Sequence, residues 1–122
     1  MLPLYPSTQS WRQVKQRALN LLERFELSSH KNRRVSLLSG GEQQRVAIAR
    51  ALIGNPDVIL ADEPTAHLDQ ALAERLMSFL SDLHGEGKTL VVATHDPFVI
   101  QSDLIRRRIS LRHGCLVEDS VS

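Results

Sequence analysis

The fold of this chain is decided by one stretch, Leu38-Ser39-Gly40-Gly41-Glu42-Gln43-Gln44-Arg45, and by the helix that follows it. Two adjacent glycines let the backbone approach an opposing surface closely, and Ser39 places a hydroxyl beside them. From Glu42 onward the residues favour a helix, which ends at Gly54-Asn55-Pro56. The free amides and positive dipole end of this helix then lie directly behind the glycines. Such an end can bind an anion, although Ser39 also suits a plain helix N-cap.

Two segments that follow each predict a buried strand. The first, Val58 to Ala61, is continuously apolar, which is typical of a strand buried on both faces of a parallel sheet. The second is Lys88 to Thr94. The segment between them predicts a helix from about Gln70 to His84, with Asp69 as its N-cap. Strand, helix and strand in this order form a βαβ unit, whose right-handed crossover makes the two strands parallel.

Polar residues meet at one edge of this predicted sheet. Asp62 and Glu63 follow the first strand, and His95 follows the second. Because ligands of open α/β sheets bind at the carboxyl ends of the strands, we expect these three side chains to lie close together at a ligand site. Adjacent carboxylates repel each other unless a cation or a reacting water uses them, so this pair of acids indicates function. A strand-end carboxylate is also where P-loop enzymes hold Mg²⁺ beside nucleotide phosphates.

The flanks of the chain predict further elements. Residues 1–7 contain two prolines and predict an extended lead-in. Ser10 and Gln13 suit a capping box at the start of an amphipathic helix. Its core-facing residues recur at helical spacing and are Trp11, Val14, Ala18, Leu21, Leu22 and Phe25. At the other end, Ile109 to Arg112 and Leu116 to Glu118 predict a closing hairpin.

Composition limits the class of protein. The 122 residues suit one small domain, and 15 basic against 14 acidic residues give a net charge of +1. This balance favours neither nucleic acid nor an anionic membrane as a partner. The single cysteine cannot form an internal disulfide, so a reducing, cytosolic setting is expected. No apolar stretch approaches the roughly 20 residues of a membrane span, so any membrane connection is expected to run through a partner.

Four blocks in this order resemble the ATPase domain of the ABC family. They are its signature loop and helix at Leu38 to Leu52, its Walker B strand at Val58 to Glu63, its D-loop at Ala66 to Asp69 and its switch histidine at His95. The resemblance implies an α/β fold, namely the carboxyl-terminal half of a P-loop NTPase (RecA-like) ABC ATPase domain with parallel strands and flanking helices. It places residues 1–54 in part of the helical subdomain with the signature loop, and residues 55–122 in the carboxyl-terminal part of the RecA-like core.

The resemblance also assigns roles to individual residues. It implies nucleotide binding by four residues of the signature loop, Ser39, Gly40, Gly41 and Glu42. Asp62 would bind Mg²⁺, and Glu63 would be the general base that orients and polarises the attacking water. His95 would contact the γ-phosphate and position that water.

Two of these residues have structural alternatives, and a third departs from the family pattern. Asp69, which the resemblance places at the interface with a second ATPase subunit, serves equally well as a helix N-cap. His95 could simply be a polar residue at the end of a strand. His67 replaces the small or amide residue that is common at its position in the D-loop, and it receives no role.

One motif that the family needs does not occur among the 122 residues. None of the six glycines belongs to a Gly-x-x-x-x-Gly-Lys-Ser/Thr P-loop. Gly87-Lys88-Thr89 mimics the end of this motif, but Thr89 opens a strand where the motif needs a helix. The Q-loop glutamine of the family is expected upstream of Met1. We therefore expect these residues alone to lack ATPase activity, and to offer their signature loop to ATP held by another subunit. We also expect the strands that would flank Val58 to Ala61 and Leu90 to Ala93 to be missing from these residues, which leaves apolar faces and strand edges bare.

The sequence is thus interpreted as an ATP-binding subunit of an ABC transporter, or a fragment of one, that uses ATP and Mg²⁺. It is most similar to the branch that drives lipoprotein release and macrolide export. The implied partners are a second ATPase subunit in a head-to-tail dimer and a separate transmembrane permease, in the cytoplasm or at the cytoplasmic face of the inner membrane. One alternative is a truncated or split gene product without enzymatic activity. A weaker alternative is the ATPase head of a DNA-repair or chromosome-organising protein, against which the absence of a long heptad segment argues.

Overall fold

The computed structural model describes residues 10–30, 34 and 38–122, with only the backbone of His30. The predicted lead-in, residues 1–7, lies outside these ranges. The helices are α1 (Trp11–Arg24), α2 (Gly40–Leu52), α3 (Gln70–Gly85) and α4 (Pro97–Ile100), with a 3₁₀ turn at Ser28–His30. The strands are β1 (Val58–Asp62), β2 (Thr89–Ala93), β3 (Arg107–Arg112) and β4 (Cys115–Val121). None of the helices in the described ranges has the length and apolar character needed to cross a lipid bilayer.

The predicted βαβ unit is confirmed, since β1 and β2 are parallel neighbours connected through α3. Their register runs from Val58 opposite Thr89 to Asp62 opposite Ala93. One further backbone bond, from the N–H of Glu63 to the carbonyl oxygen of Ala93 at 2.8 Å, continues the pairing past the end of β1. The residues that follow the two strands therefore lie side by side at one edge of the sheet.

The predicted closing hairpin is also confirmed, and its strands are longer than the sequence indicates. β3 and β4 are antiparallel, with one irregularity in register between Ser110 and Leu111. The two turn residues, His113 and Gly114, have φ values of 51° and 77°. Positive φ at both central residues is what a two-residue hairpin turn of type I′ requires.

The core lies between the helices and one face of the β1–β2 sheet. Its buried side chains come from the residues that follow α1 and from α2, β1, α3 and α4. They are Phe25, Leu27, Ala49, Leu52, Ile59, Leu76, Met77, Leu80, Leu83 and Val99. The apolar side of α3 contributes four of them. Residues on both sides of the predicted boundary at 54 and 55 share this core, and the division into two domain parts stays a prediction.

The expected bare apolar face of the strands is present in the described residues. Ile59 is 6% exposed and packs into the core, whereas Val58 and Leu60, which point the other way, are 51% and 77% exposed. Val91 on β2 is likewise exposed. In the described part of the chain, the helices cover only one face of this two-stranded sheet. Because alternate residues of a strand point to opposite faces, Ile59 is buried while Val58 and Leu60 are exposed.

The prediction that Trp11 packs in the core is also wrong, because this side chain is 78% exposed. The Ser10–Gln13 capping box is present, so the helix begins where predicted. The amphipathic pattern of α1 is correct at its other end, where Leu21 and Leu22 pack against the core and Phe25 belongs to it. The helix therefore contacts the core through its last turns.

Candidate functional site

The first turn of α2 is closed by a capping box. The Ser39 Oγ accepts the N–H of Glu42 at 3.2 Å, and the Glu42 carboxylate accepts the N–H of Ser39 at 2.9 Å. The helix begins at Gly40, two residues before the predicted start, and Ser39 is its N-cap. Within this described turn, these bonds leave the amides of Gly40 and Gly41 at the positive end of the helix dipole. The arrangement confirms the N-cap interpretation and still offers two donors to an anion.

The two glycines of this turn have different surroundings. A Cβ at Gly41 would lie 2.8 Å from the Cδ1 of Leu72 on α3, whereas a Cβ at Gly40 would meet no atom within 4 Å. Gly41 thus allows α2 to begin directly against α3, and Gly40 is open to an approaching molecule. On the same helix, the Gln44 side chain donates to the carbonyl oxygen of Pro64 at 2.9 Å. This bond connects α2 to the turn that follows β1.

Glu63 and His95 are in direct contact at the carboxyl edge of the sheet. The Glu63 Oε1 accepts from the His95 Nδ1 at 2.6 Å and from the His95 backbone N–H at 3.1 Å. The Glu63 Oε2 accepts from the Thr94 hydroxyl at 2.9 Å. Because an ionised carboxylate can only accept, the Nδ1 carries a proton and the Nε2 is free for another partner. The His95 side chain is 92% exposed, so that partner can come from outside.

This contact shifts the pKa values of both groups. The hydrogen bond from His95 lowers the pKa of Glu63, with a further lowering from Thr94 and a partial opposition from burial. The hydrogen bond to Glu63 and its negative charge raise the pKa of His95. Each partner therefore favours the charged form of the other, a carboxylate beside an imidazolium.

A second link joins the turn after β1 to the turn after β2. The buried Thr65 donates its hydroxyl to the Asp96 Oδ2 at 2.6 Å. The backbone N–H of Asp96 donates to the Thr94 Oγ1 at 3.0 Å, and its Oδ1 caps α4 by accepting the N–H of Phe98. The hydrogen bond from Thr65 lowers the pKa of Asp96. Sequence reasoning gave no site role to Thr65 or Thr94, although each lies within two residues of a predicted site residue at a strand end.

The backbone at Glu63 is unusual. Its φ is 44°, in the left-handed region that residues other than glycine seldom adopt. Glu63 follows the end of β1 directly, and its carboxylate reaches the turn that follows β2. An uncommon conformation at a cluster of polar side chains is typical of a functional position.

The structure brings together two of the three residues predicted at this edge. The described contacts join Glu63 to His95 but do not include Asp62, which is the exposed last residue of β1. In the described ranges, no three His, Cys, Asp or Glu side chains are grouped as a metal site. A single carboxylate nevertheless fits Mg²⁺, because this ion is usually held by one or two carboxylates together with phosphate oxygens and waters.

Asp69 begins α3 as its N-cap. Its side chain accepts the N–H of Leu72 at 2.9 Å, which confirms the structural alternative for this residue. Two backbone turns lead up to it, with bonds from Ala66 to Glu63 at 3.0 Å and from Leu68 to Thr65 at 3.1 Å. These turns fix the predicted D-loop against the Glu63 edge, and the interface role of Asp69 stays a prediction.

Comparison with known proteins agrees with this geometry. Residues 4–66, just over half of the chain, match the family described as ABC transporter. The chain belongs to the ABC transporter family. The resemblance predicted from the signature loop, the Walker B strand and the switch histidine is therefore confirmed.

Two relatives show which part of the family this is. The chain is 47% identical over 103 residues to the macrolide export ATP-binding/permease protein MacB of Bradyrhizobium diazoefficiens, covering 84% of this chain and 16% of the relative. It is 42% identical over 118 residues to the uncharacterized ABC transporter ATP-binding protein YvrO of Bacillus subtilis, covering 97% of this chain and 51% of the relative. The chain thus corresponds to part of an ABC ATP-binding domain of the export branch, and it spans about half or less of the length of these relatives.

A solved structure confirms the fold class. The dimeric bacterial ABC transporter cassette MJ0796 superposes with a TM-score of 0.80 and 42% identity, covering 96% of this chain and 50% of that one. The same cassette forms a dimer in a post-hydrolysis state bound to ADP and Pi, with the same TM-score of 0.80. This ABC transporter member therefore has the fold of about half of an ABC ATPase cassette, a P-loop NTPase.

Proposed function

We propose that this chain works in the ATP-hydrolysing unit of an ABC export system. The observation that carries the proposal is the 2.6 Å contact between the Glu63 Oε1 and the His95 Nδ1 at the carboxyl edge of a parallel sheet. Ligands of such sheets bind at this edge. In the proposed role, Glu63 acts on the attacking water and His95 on the γ-phosphate of ATP.

The charges of the pair suit these two roles. A carboxylate whose pKa lies below its ordinary value is a weak base, so Glu63 acts on the water chiefly by orienting and polarising it. In its protonated form, which the raised pKa of His95 favours, the ring donates its Nδ1–H to Glu63 and has its Nε2–H available for a phosphate oxygen. The shared hydrogen bond keeps the two groups at a fixed distance, which correct positioning of water against phosphate requires.

Asp62 is proposed as the protein ligand of Mg²⁺. It directly precedes Glu63 in the chain and is exposed at the end of β1. Bound Mg²⁺ would neutralise charge on the phosphates. Asp62 would bind it through one carboxylate.

The start of α2 is proposed to act on a nucleotide held by a second ATPase subunit. The amides of Gly40 and Gly41, together with Ser39 beside them, offer donors and a positive dipole to the γ-phosphate. Glu42 belongs to the same turn and closes the capping box that orients these donors. The dimeric state of the MJ0796 cassette supports this use of a second subunit. Asp69 is proposed to contact that subunit.

The membrane partner is proposed to be a transmembrane permease, reached from its cytoplasmic face. The name of the MacB relative combines ATP binding with a permease, whereas that of YvrO mentions ATP binding alone. The name of YvrO, which mentions no permease, is the support for placing the permease on a separate chain. Export is the proposed direction of transport.

The test is ATP-dependent association with a complete ABC ATPase subunit whose catalytic glutamate is replaced by glutamine. Wild type is compared with Gly40→Asp, which places a negative charge where the γ-phosphate would lie. Gly40 is preferred to Gly41 because a side chain at Gly41 would displace Leu72. The substitution should weaken the ATP-dependent association by roughly tenfold to a hundredfold.

The matched control for this test is Gly85→Asp. Gly85 is the last residue of α3, and a Cβ there also meets no atom within 4 Å. It should associate as wild type does. The proposal fails if ATP drives no association, or if Gly40→Asp and Gly85→Asp associate equally well.

A further inference from the structure

We infer that Thr65, Thr94 and Asp96 form a positioning clip that holds Glu63 in contact with His95. These three residues touch Glu63 or one another and are not proposed to touch ATP. The inference rests on the proposed function in one respect, because Glu63 and His95 are the reacting groups that the clip would position.

The bonds of the clip form a closed ring. The Thr65 hydroxyl donates to the Asp96 Oδ2 at 2.6 Å, and the Asp96 N–H donates to the Thr94 Oγ1 at 3.0 Å. The Thr94 hydroxyl then donates to the Glu63 Oε2 at 2.9 Å. Since Glu63 and Thr65 belong to one turn, the backbone between them completes the ring. A shift of either turn would therefore break at least one of these bonds.

The exposure of the His95 side chain explains why its orientation depends on this ring of hydrogen bonds. His95 is 92% exposed, so packing does little to fix its ring. Its described side-chain contact is the one with Glu63, and the orientation of Glu63 in turn depends on Thr94. The ring ends at Thr65, which is 6% exposed, and there a buried hydroxyl meets a charged acceptor. Water cannot readily replace that bond, and bonds to charged groups are the stronger ones. The buried end of the clip thus provides the rigidity that the exposed end lacks.

The test is hydrogen–deuterium exchange at residue resolution on the 122-residue chain. The backbone amides of His95 and Asp96 are direct reporters, because they donate to the Glu63 Oε1 and the Thr94 Oγ1. In Thr65→Val, which removes the hydroxyl at nearly constant shape, both amides should exchange about tenfold faster or more. Thr65→Ser, which keeps the hydroxyl, should exchange as wild type does.

A matched control separates positioning from general destabilisation. Thr89→Val makes the same chemical change at an exposed position at the start of β2, and it should leave both reporter amides unchanged. The amides of Leu76 and Leu80 in α3 should also be unchanged in Thr65→Val. Unchanged exchange at His95 and Asp96 would overturn the inference, as would equal acceleration in α3.

A second measurement follows the contact itself. The chemical shifts of the His95 ring nitrogens, assigned with His95→Gln and recorded at alkaline pH where the ring is neutral, report which nitrogen carries the one remaining proton. We expect a protonated Nδ1 in wild type and in Thr65→Ser, and a loss of this preference in Thr65→Val. If Thr65→Val does not fold, Thr94→Val opens the same ring at the Glu63 end and must speed up exchange of the His95 amide. A Thr94→Val protein with an unchanged His95 amide and ring shifts would equally overturn the clip.

Neither measurement uses nucleotide. A failure of the clip would therefore leave the ATP-dependent association intact. Conversely, an absence of that association would leave the exchange results unaffected, so the two proposals can fail separately.

Discussion

The start of α2 and the carboxyl edge of the β1–β2 sheet both carry residues that we propose to act on a phosphate, but the two regions are built in opposite ways. The first is made by bonds between residues three positions apart, Ser39 and Glu42. The second is made by bonds between residues 31 and 32 positions apart, from Glu63 to Thr94 and His95. The α2 end is thus a local structure that a short segment can specify. The sheet edge exists only when β1, α3 and β2 have packed together.

This difference implies separate sensitivities. A change in the core should disturb the sheet edge more than the α2 end, and a change at the cap of α2 should leave the sheet edge intact. Three predictions test this separation, beginning with the largest effect.

Removing core volume under the sheet should have the largest effect. Leu80 on α3 is 2% exposed and belongs to the core. We expect Leu80→Ala to lower the free energy of unfolding by about 2–5 kcal/mol, from lost burial and the cavity that remains. Urea denaturation measures this, with Ser78→Ala on the exposed side of the same helix as control. A loss in Leu80→Ala no greater than in Ser78→Ala would show that α3 does not support the sheet.

Removing the cap of α2 should have a smaller and local effect. We expect Ser39→Ala to destabilise the protein by about 1 kcal/mol, because the Glu42 amide loses its acceptor. Exchange of the Glu42 amide should become faster while exchange of the His95 amide stays the same. Ser10→Ala removes the same kind of capping box from α1 and is the matched control. Faster exchange at His95 in Ser39→Ala would show that the two regions are coupled.

The smallest of the three effects should be the pH dependence of the stability that the Glu63–His95 pair contributes. The lowered pKa of Glu63 gives a contribution to stability that is present above its ordinary value of 4.5 and is lost as pH falls through the lowered pKa. The raised pKa of His95 gives a contribution that is fully present below its ordinary value of 6.5 and is lost as pH rises through the raised pKa. The pair should therefore stabilise the fold most between pH 4.5 and 6.5.

The measurement is the difference in unfolding free energy between wild type and His95→Gln, taken from about pH 4 to about pH 9. This difference should be greatest in the mildly acidic window and should decrease at alkaline pH. His84→Gln is the control, because the His84 ring contacts the carbonyl oxygen of Lys88 instead of a carboxylate. A difference that does not vary with pH would contradict the ion pair.

The structural features that could be predicted from the sequence are those set by residues close together in the chain or by the general geometry of parallel strands. The N-caps Ser10, Ser39 and Asp69 are correct because each cap acts on amides within three positions of itself. The meeting of Glu63 and His95 also follows from sequence, since parallel strands bring their carboxyl ends to one edge.

What the sequence could not predict depends on distant parts of the chain. The period of α1 shows which side of the helix is apolar, but not how far along the helix its packing partner extends, so the prediction that Trp11 packs in the core is wrong. The bond between Thr65 and Asp96 joins residues 31 positions apart, and no local pattern indicates it.

Because the backbone of Glu63 is left-handed, selection for stability and selection for the carboxylate favour different residues at position 63. A residue with a Cβ in this region costs roughly 1–2 kcal/mol relative to glycine. Glycine at this position would relieve that strain, and it would remove the carboxylate at the same time. Any engineering campaign that ranks variants by thermal resistance alone will therefore favour the loss of the group proposed to orient water. A screen for a more robust version of this protein should keep residue 63 fixed.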